Sequence, residues 1–313
     1  MKLAKLSNLI DAELFGCSDF EIQILSEISN SSSSSIIFVN DEKLIDKVDK
    51  ENVGAILTSK ILSRHFSDCN ILVSNNPKLS FAKLTNIFKK NRSNNKVNTS
   101  EKVQKFIIGK NSSLGLNVVI EDNVIIGKNV TIGHNVVIYD STTIGDNVTI
   151  DSGSVIGSEG FGNVRDKDFT WLHIAHLGGV CIQDNVSIGA NCTVDRGTIG
   201  DTIIEKGVVI DNQVHIAHNV IIGENSAIAG KAAIAGSSRI GKRNLIGGMV
   251  GIIDHISTAD DVIISATSTV HKDINESGVY TGFFPISKHS LWKRIALWIT
   301  KLDKIAKLVN FKK

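Results

Sequence analysis

His218 and Gly236, eighteen residues apart, are the pair in this sequence best suited to chemistry. An imidazole with an ordinary pKa of about 6.5 is neutral near pH 7, so it takes up a proton readily as a general base. A glycine N–H lets a carbonyl approach closely and holds the oxyanion that forms on it. His218 lies in the run Val214–Asn219, VHIAHN, flanked by His215 and Asn219, with Asp211 opening the longer segment DNQVHIAHN. His255 follows further on. Taken singly, a histidine usually has a structural explanation and a glycine is usually a turn residue. Their chemistry depends on a fold that stacks residues eighteen apart.

The elements that would do so run from Phe106 to Lys272. An aliphatic residue returns every six positions: Ile108, Leu114, Ile120 and onward to Ile156, then Ile182, Ile188 and Val194, then Ile204 through Ile252, Ile264 and Val270. Thr258 is the polar lapse, and Gly often follows the aliphatic position. This period is the signature of a hexapeptide parallel β-helix. Three hexads close one triangular coil, with aliphatic side chains inside and strands stacked about 4.8 Å apart. Gly and Asn are expected to supply the corner conformations with positive φ. Resemblance to the hexapeptide class implies left-handed coils. His218 lies two residues after Ile216 and Gly236 two after Ile234, so both fall on one corner, one coil apart. Asp254 continues that register, with His255 beside it.

The 313 residues are 42% apolar and 21% charged with a formal net charge of +2, which argues against a general nucleic-acid binder. Cys17, Cys69, Cys181 and Cys192 show no CxxC spacing and read as free thiols of a reducing cytosol. No apolar run approaches the roughly 18 residues of a membrane span. The N-terminus lacks a signal peptide's apolar core, so a cytoplasmic protein is expected.

Residues 1–100 contain no hexads. Phe20–Leu25, Ser35–Val39, Gly54–Thr58 and Asn70–Ser74 read as strands, and Asn40–Asp49 and Leu79–Lys90 as helices, giving a small α/β domain. The first residues read as an amphipathic helix capped at Gly16. Asn91–Lys102 reads as a linker. The β-helix is expected over 101–274, interrupted by a protruding loop at 158–181 and by a tightened corner at Asp195–Ile203. Residues 275–313 hold an extended segment and a helix over Lys288–Val309, apolar along Leu291, Ile295, Trp298, Leu302, Ile305 and Leu308 and basic at Lys293, Arg294, Lys301, Lys304 and Lys307. Packing in an oligomer and docking of an acidic partner both suit it.

Three segments, IGSEGFG (Ile156–Gly162), Val194–Gly230 around VHIAHN, and Ile234–His255, resemble the UDP-3-O-acylglucosamine N-acyltransferases of lipid A synthesis. VNDEKL (Val39–Leu44), Asn75–Leu84 and SGVYTGFFPI extend that resemblance over nearly the whole chain. It implies a homotrimer with active sites at subunit interfaces. It also implies transfer of a 3-hydroxyacyl chain from acyl carrier protein to the amine of a UDP-3-O-acylglucosamine, with no covalent enzyme intermediate. No cofactor is implied beyond the carrier's phosphopantetheine arm, and the cysteines are spectators.

Carried over residue by residue, the resemblance makes His218 the general base and Gly236 the oxyanion donor. Asp211 orients or charges the histidine, and His255 assists at the substrate phosphate or sugar. Asn219 and Phe161 contact substrate, and His215, where relatives often carry Gln, joins the substrate residues with its role open. The family clamps uracil with Phe-x-x-Asn-x-x-Tyr. Here Ile37, Asn40 and Lys43 stand in those places, so stacking is lost or falls to Phe38. His134, His173 and His176 are not expected to form a metal site, because a three-histidine zinc site of the hexapeptide carbonic anhydrase type needs ligands meeting across an interface. An acyl trench is expected beside Gly248–Ile253 and Ser265–Val270. The rival readings are another hexapeptide acyltransferase, acting on a sugar hydroxyl or using coenzyme A, and a non-catalytic β-helical scaffold. The α/β domain disfavours the O-acyltransferase, and the HIAHN corner disfavours the scaffold.

Overall fold

The computed structural model describes residues 1–94, 106–283 and 286–308. From Ile107–Ile108 onward, short strands recur at the hexad period and form three parallel sheets, the faces of a triangular prism. The first face runs from Ile107–Ile108 to Arg239–Ile240. The second runs from Ser113–Leu114 to Val262–Ile264 and closes on Gly278–Tyr280, so the sheet continues past residue 274. The third runs from Val119–Ile120 to Thr269–Val270. Thr131 pairs with Thr149 and Ile132 with Ile150, the one-coil register that the period predicts.

The ladder residues Ile126, Ile144, Ile182, Ile204 and Ile222 are buried inside the prism. Each buried aliphatic side chain contributes roughly 1.5–3 kcal/mol, which holds the coil closed. Thr258, the polar lapse, is satisfied: its Oγ1 accepts from Asn244 Nδ2 at 2.6 Å and from the Gly241 N–H at 3.0 Å.

The corner role expected of both Gly and Asn is divided. The third residue after the ladder position takes the left-handed backbone, as at Asn129 (φ 55°), Asn147 (59°) and Asn225 (58°). Asn tolerates this region better than most residues. Gly153 (φ 77°) and Gly207 (73°) hold the same corner position, as expected, while most glycines directly after the ladder residue serve close stacking. A Cβ on Gly223 would lie 2.6 Å from the backbone carbon of Gly241, one coil away.

Two irregularities position the site. The loop at 158–181 stretches one coil step to 38 residues between Asp146 and Asp184, and it carries an antiparallel hairpin of Asn163–Arg165 and Trp171–His173. The corner at Asp195–Ile203, expected to be tightened, is widened: Gly179 and Asp201 meet across 22 residues. The extra chain receives the returning loop, with Leu177 N–H donating to Thr198 O and Gly178 N–H to Gly197 O.

The N-terminal domain holds β1 (Glu13–Phe15), β2 (Ile24–Leu25), β3 (Ser35–Val39), β4 (Ala55–Ser59) and β5 (Ile71–Ser74), in sheet order β1-β5-β4-β3-β2. Its helices are α1 (Leu3–Leu9), α2 (Lys60–Ser63) and α3 (Pro77–Asn94). The first helix ends at Leu9 rather than Gly16, because Asp11 turns into the left-handed region and Glu13–Phe15 pairs antiparallel with β5. The stretch expected as a helix over Asn40–Asp49 is a 3-10 helix, Glu42–Lys47, with Asp41 capping its start. Most of the expected linker lies outside the described residues. The domain and the prism form one unit through Thr281, joined at the loop. Leu177 packs with Leu3, Leu72 and Leu84, and Asn86 Nδ2 donates to His173 O at 2.6 Å.

Residues from Gly282 onward form a separate unit. The expected single helix is two, α4 (His289–Ile299) and α5 (Leu302–Leu308). Trp292, Lys293, Arg294, Trp298 and Lys301 are exposed on it. Phe284 and Pro285 of the expected extended segment lie outside the described residues.

Candidate active site

His218 stands on the third corner, where the chain leaves His215–Ile216. Two glycines sandwich its ring. A Cβ on Gly236, one coil on, would lie 2.7 Å from His218 Nε2, and one on Gly160, in the loop, 2.8 Å from Cδ2. Any larger residue at either place displaces the imidazole. On the other side, His218 Nδ1 faces Asn219 Oδ1 at 3.2 Å. The widened corner holds that amide: Asn219 Oδ1 accepts from the Thr198 N–H at 2.8 Å, and Asn219 Nδ2 donates to Gly200 O at 3.2 Å. A carbonyl acceptor beside Nδ1 assigns the ring proton to Nδ1 and leaves the Nε2 lone pair toward Gly236.

The Gly236 N–H makes no hydrogen bond to another described residue, while the Gly236 carbonyl accepts from the His255 N–H at 3.0 Å. An unpaired imidazole nitrogen and an unpaired backbone donor therefore stand side by side. That arrangement can take a proton from a nucleophile and stabilise the oxyanion of an attacked carbonyl. His255 is exposed on the same corner one coil beyond Gly236, at φ 59°. Asn219 holds the histidine, a closer relation than the substrate contact the sequence suggests.

Asp211 does not meet His218 within one chain. It stands on the second corner, where its carboxylate accepts from Asn212 N–H and Nδ2 (both 2.7 Å) and from the Gly230 N–H (3.0 Å). The carboxylate nearer the site is Asp195, which the sequence marks only as the start of an irregular corner. It is buried, accepts from Ser158 Oγ at 2.7 Å, and lies 3.6 Å from His215 Nε2. Burial pushes its carboxyl above the usual 3.8, with Ser158 and the His215 side chain pulling the other way. His215 is otherwise exposed.

In the N-terminal domain, Asn40 is exposed just past the end of β3, and Lys43 is exposed in the 3-10 helix that follows. Ile37 is 0% exposed and packs with Ile56 and Phe66, so it cannot stack on a base as a ligand contact. Phe38, the aromatic named as a substitute, stacks one face of its ring on Phe81 with ring centroids 4.5 Å apart. Phe161 projects from the loop, 87% exposed.

The loop adds a histidine that the sequence did not connect with His218. His176 lies edge-to-face on His218, ring centroids 5.0 Å apart. It is 1% exposed, and burial first, then the neighbouring His218, lower its pKa to about 4. Glu159, His173 and His176 bring their donor atoms together, while His134 stands elsewhere, accepting from the Leu116 N–H at 2.8 Å. The only signal for this grouping was the density of His and aromatic residues in a segment without hexads.

A groove of about 610 Å³ runs along the second face, lined by Val209, Ala227, Leu245, Ile263, Ser265 and Ala266. It meets the expected trench only at Ser265 and Ala266, because its wall is built from second-face strands and the corner after them. Among the described residues no helix is long and apolar enough to cross a membrane.

The family described as bacterial transferase hexapeptide (six repeats) matches residues 107–140, 123–158 and 201–236. Over the whole chain, two relatives named UDP-3-O-acylglucosamine N-acyltransferase, from Vesicomyosocius okutanii and Ruthia magnifica, are each 45% identical over 99% of this chain and 97% of their own length. A third of that name, from Campylobacter lari, is 36% identical over 93% of this chain and 95% of its own. A solved structure of a UDP-N-acetylglucosamine acyltransferase from Bacteroides fragilis aligns with 56% of this chain and 65% of its own, at 27% identity and a TM-score of 0.41.

Proposed function

We propose the reaction from one premise: the chain belongs to the UDP-3-O-acylglucosamine N-acyltransferase family. It is an acyltransferase that acylates the amine of a UDP-3-O-acylglucosamine in lipid A precursor synthesis. The donor is a 3-hydroxyacyl thioester carried on the phosphopantetheine arm of acyl carrier protein. The amine nitrogen attacks the thioester carbon, and His218 Nε2 takes the proton that the nitrogen sheds. The Gly236 N–H holds the oxyanion. As the tetrahedral intermediate collapses, the carbon–sulfur bond breaks and the proton passes from His218 to the departing thiolate. An amide and a free thiol result, and no enzyme atom is bonded to the acyl group.

The observation that carries this reading is the adjacency of the His218 Nε2 lone pair and the unpaired Gly236 N–H. Asn219 orients the base, and His255 stands where it can assist at the substrate phosphate or sugar. Asn40 contributes a polar contact to the uracil, with no contact from the buried Ile37. The acyl chain lies in an apolar groove of the prism. The working form is a homotrimer in the cytoplasm, in which a neighbouring copy covers the corner that one prism leaves half open. The basic faces of α4 and α5 suit the acidic surface of a carrier protein.

The test is mass spectrometry of the product formed from UDP-3-O-acylglucosamine and a mixed pool of donors. Amide formed from acyl carrier protein thioesters, with acetyl-coenzyme A ignored, is expected. Transfer to a hydroxyl, or acetyl transfer from coenzyme A, would replace this reading with one of its hexapeptide rivals, and no turnover with any donor would favour a scaffold.

A further inference from the structure

Beside the pair assigned to proton transfer, the loop assembles a second group of donors. Glu159 ends the strand Val155–Glu159, and His173 ends the returning strand of the hairpin. His176 follows three residues later. One ligand atom from each lies within 4.8 Å of the others, and His173 Nε2 is 2.5 Å from Glu159 Oε2. The backbone that carries them is held from outside. Asn86 Nδ2 donates to His173 O at 2.6 Å, and the Ala175 N–H donates to Thr85 Oγ1 at 3.1 Å, both from α3. Gly162 makes room for the ring, since a Cβ there would lie 2.8 Å from His176 Cε1.

The second observation is independent of that grouping. His176 is 1% exposed, yet neither ring nitrogen has a hydrogen-bond partner among the described residues. A buried polar group left unpaired costs about 1–3 kcal/mol, and a ring with both nitrogens unpaired marks a place that a water or an ion completes. Two imidazoles and one carboxylate, with a coordination position left over, are a ligand set that zinc adopts. In the metal-free chain the Lys89 ammonium sits on Glu159 as the competing cation.

We propose that Glu159, His173 and His176 form a binding site for one divalent transition metal ion of the zinc class. The ion replaces Lys89 on Glu159 and satisfies a His176 nitrogen. The contacts from α3 orient the ligands before the ion arrives, as outer-shell partners do. The site lies against the assigned base, since the His176 ring touches that of His218.

The test uses the full-length, tag-free chain, stripped with a chelator and titrated with Co²⁺ alone. One equivalent per chain with the visible spectrum of a tetrahedral site is expected, displaced by Zn²⁺. Glu159→Gln, His173→Ala and His176→Ala should each weaken Co²⁺ binding at least tenfold. Lys89→Met, which removes the competing cation and no ligand, should tighten it. Should one ligand variant fail to fold, the other two and Lys89→Met decide. No binding by the parent, an octahedral spectrum, or binding indifferent to all four substitutions overturns the site. Because binding is read without substrate, failure of the catalytic reading leaves it standing.

Discussion

The first and third corners of the prism obey the same hexad rule and end in opposite states. Along the first corner, Asn111, Asn129, Asn147 and Asn185 pass amide hydrogen bonds up the column at 3.3, 3.0 and 3.2 Å. The corner N–H groups are capped as well: Lys128 by Asp146 at 2.7 Å, Asp146 by Asp184 at 2.8 Å and Lys242 by Asp260 at 2.8 Å. On the third corner the column breaks. Asn219 turns to the widened turn at Thr198 and Gly200 instead of to its neighbour a coil away, and the Gly236 N–H stays open. A repeat that saturates its own donors and acceptors is stable and inert. Chemistry needs a donor and a base with capacity to spare, so it sits where the loop and the widened corner interrupt the repeat.

That contrast is most exposed to failure at His218. His218→Ala should fold and assemble as the parent does but lose general-base catalysis, a factor of about 10²–10⁴ in kcat. Activity within a few-fold of the parent, in a correctly assembled protein, would make the third corner as inert as the first.

Glycine substitutions separate the corners next. In Gly236→Ala the new Cβ meets the His218 imidazole, which can swing aside. The chain should keep its melting temperature and lose about 10²–10³ in kcat, the usual cost of disturbing an oxyanion donor. In Gly223→Ala the new Cβ meets the backbone of Gly241 at 2.6 Å, which cannot move alone. Stability should fall by about 1–3 kcal/mol, as for other overpacked sites, with kcat nearly intact in what remains folded. Thermal melts and initial rates on the two variants decide, and an exchange of the two outcomes would invert the comparison.

The asparagines sharpen it further. Asn147→Ala on the first corner removes ladder hydrogen bonds and puts Ala at φ 59°. About 1–2 kcal/mol of stability should go, without change in the pH–rate profile. Asn219→Ala on the third corner adds a change in that profile, because the His218 tautomer loses its acceptor. Identical profiles for both would return Asn219 to a turn role.

The smallest expected effect is at Asp195. Burial raises its carboxyl above 3.8 in the folded chain. Protonation is therefore easier folded than unfolded, so this group's contribution to stability is greatest below 3.8 and declines as pH rises through the raised value. Asp195→Asn, which cannot ionise, should flatten the loss of stability between about pH 4 and neutrality in chemical-denaturation titrations. An unchanged slope would mean that Ser158 and His215 fully offset the burial.

Sequence and structure divide the protein along its period. The aliphatic ladder, the coil register, and the stacking of His218 under Gly236 and near His255 were legible, because a six-residue burial pattern leaves each residue one place on the prism. Strands β3, β4 and β5 were legible for the same local reason, as continuous apolar runs. The early end of α1 was not, because pairing of Glu13–Phe15 with β5 overrides the local helical pattern. Ile37 looked like a ligand position until β3 turned it into the core, and within one chain Asp211 lies on a different corner from His218. Only the tertiary structure placed Asn219 on the base, Asp195 beside His215, and His176 against His218 with Glu159 and His173. These contacts come from a loop without a repeat that docks on α3, and from a corner widened to receive it. Long-range packing of that kind leaves no spacing in the sequence to read.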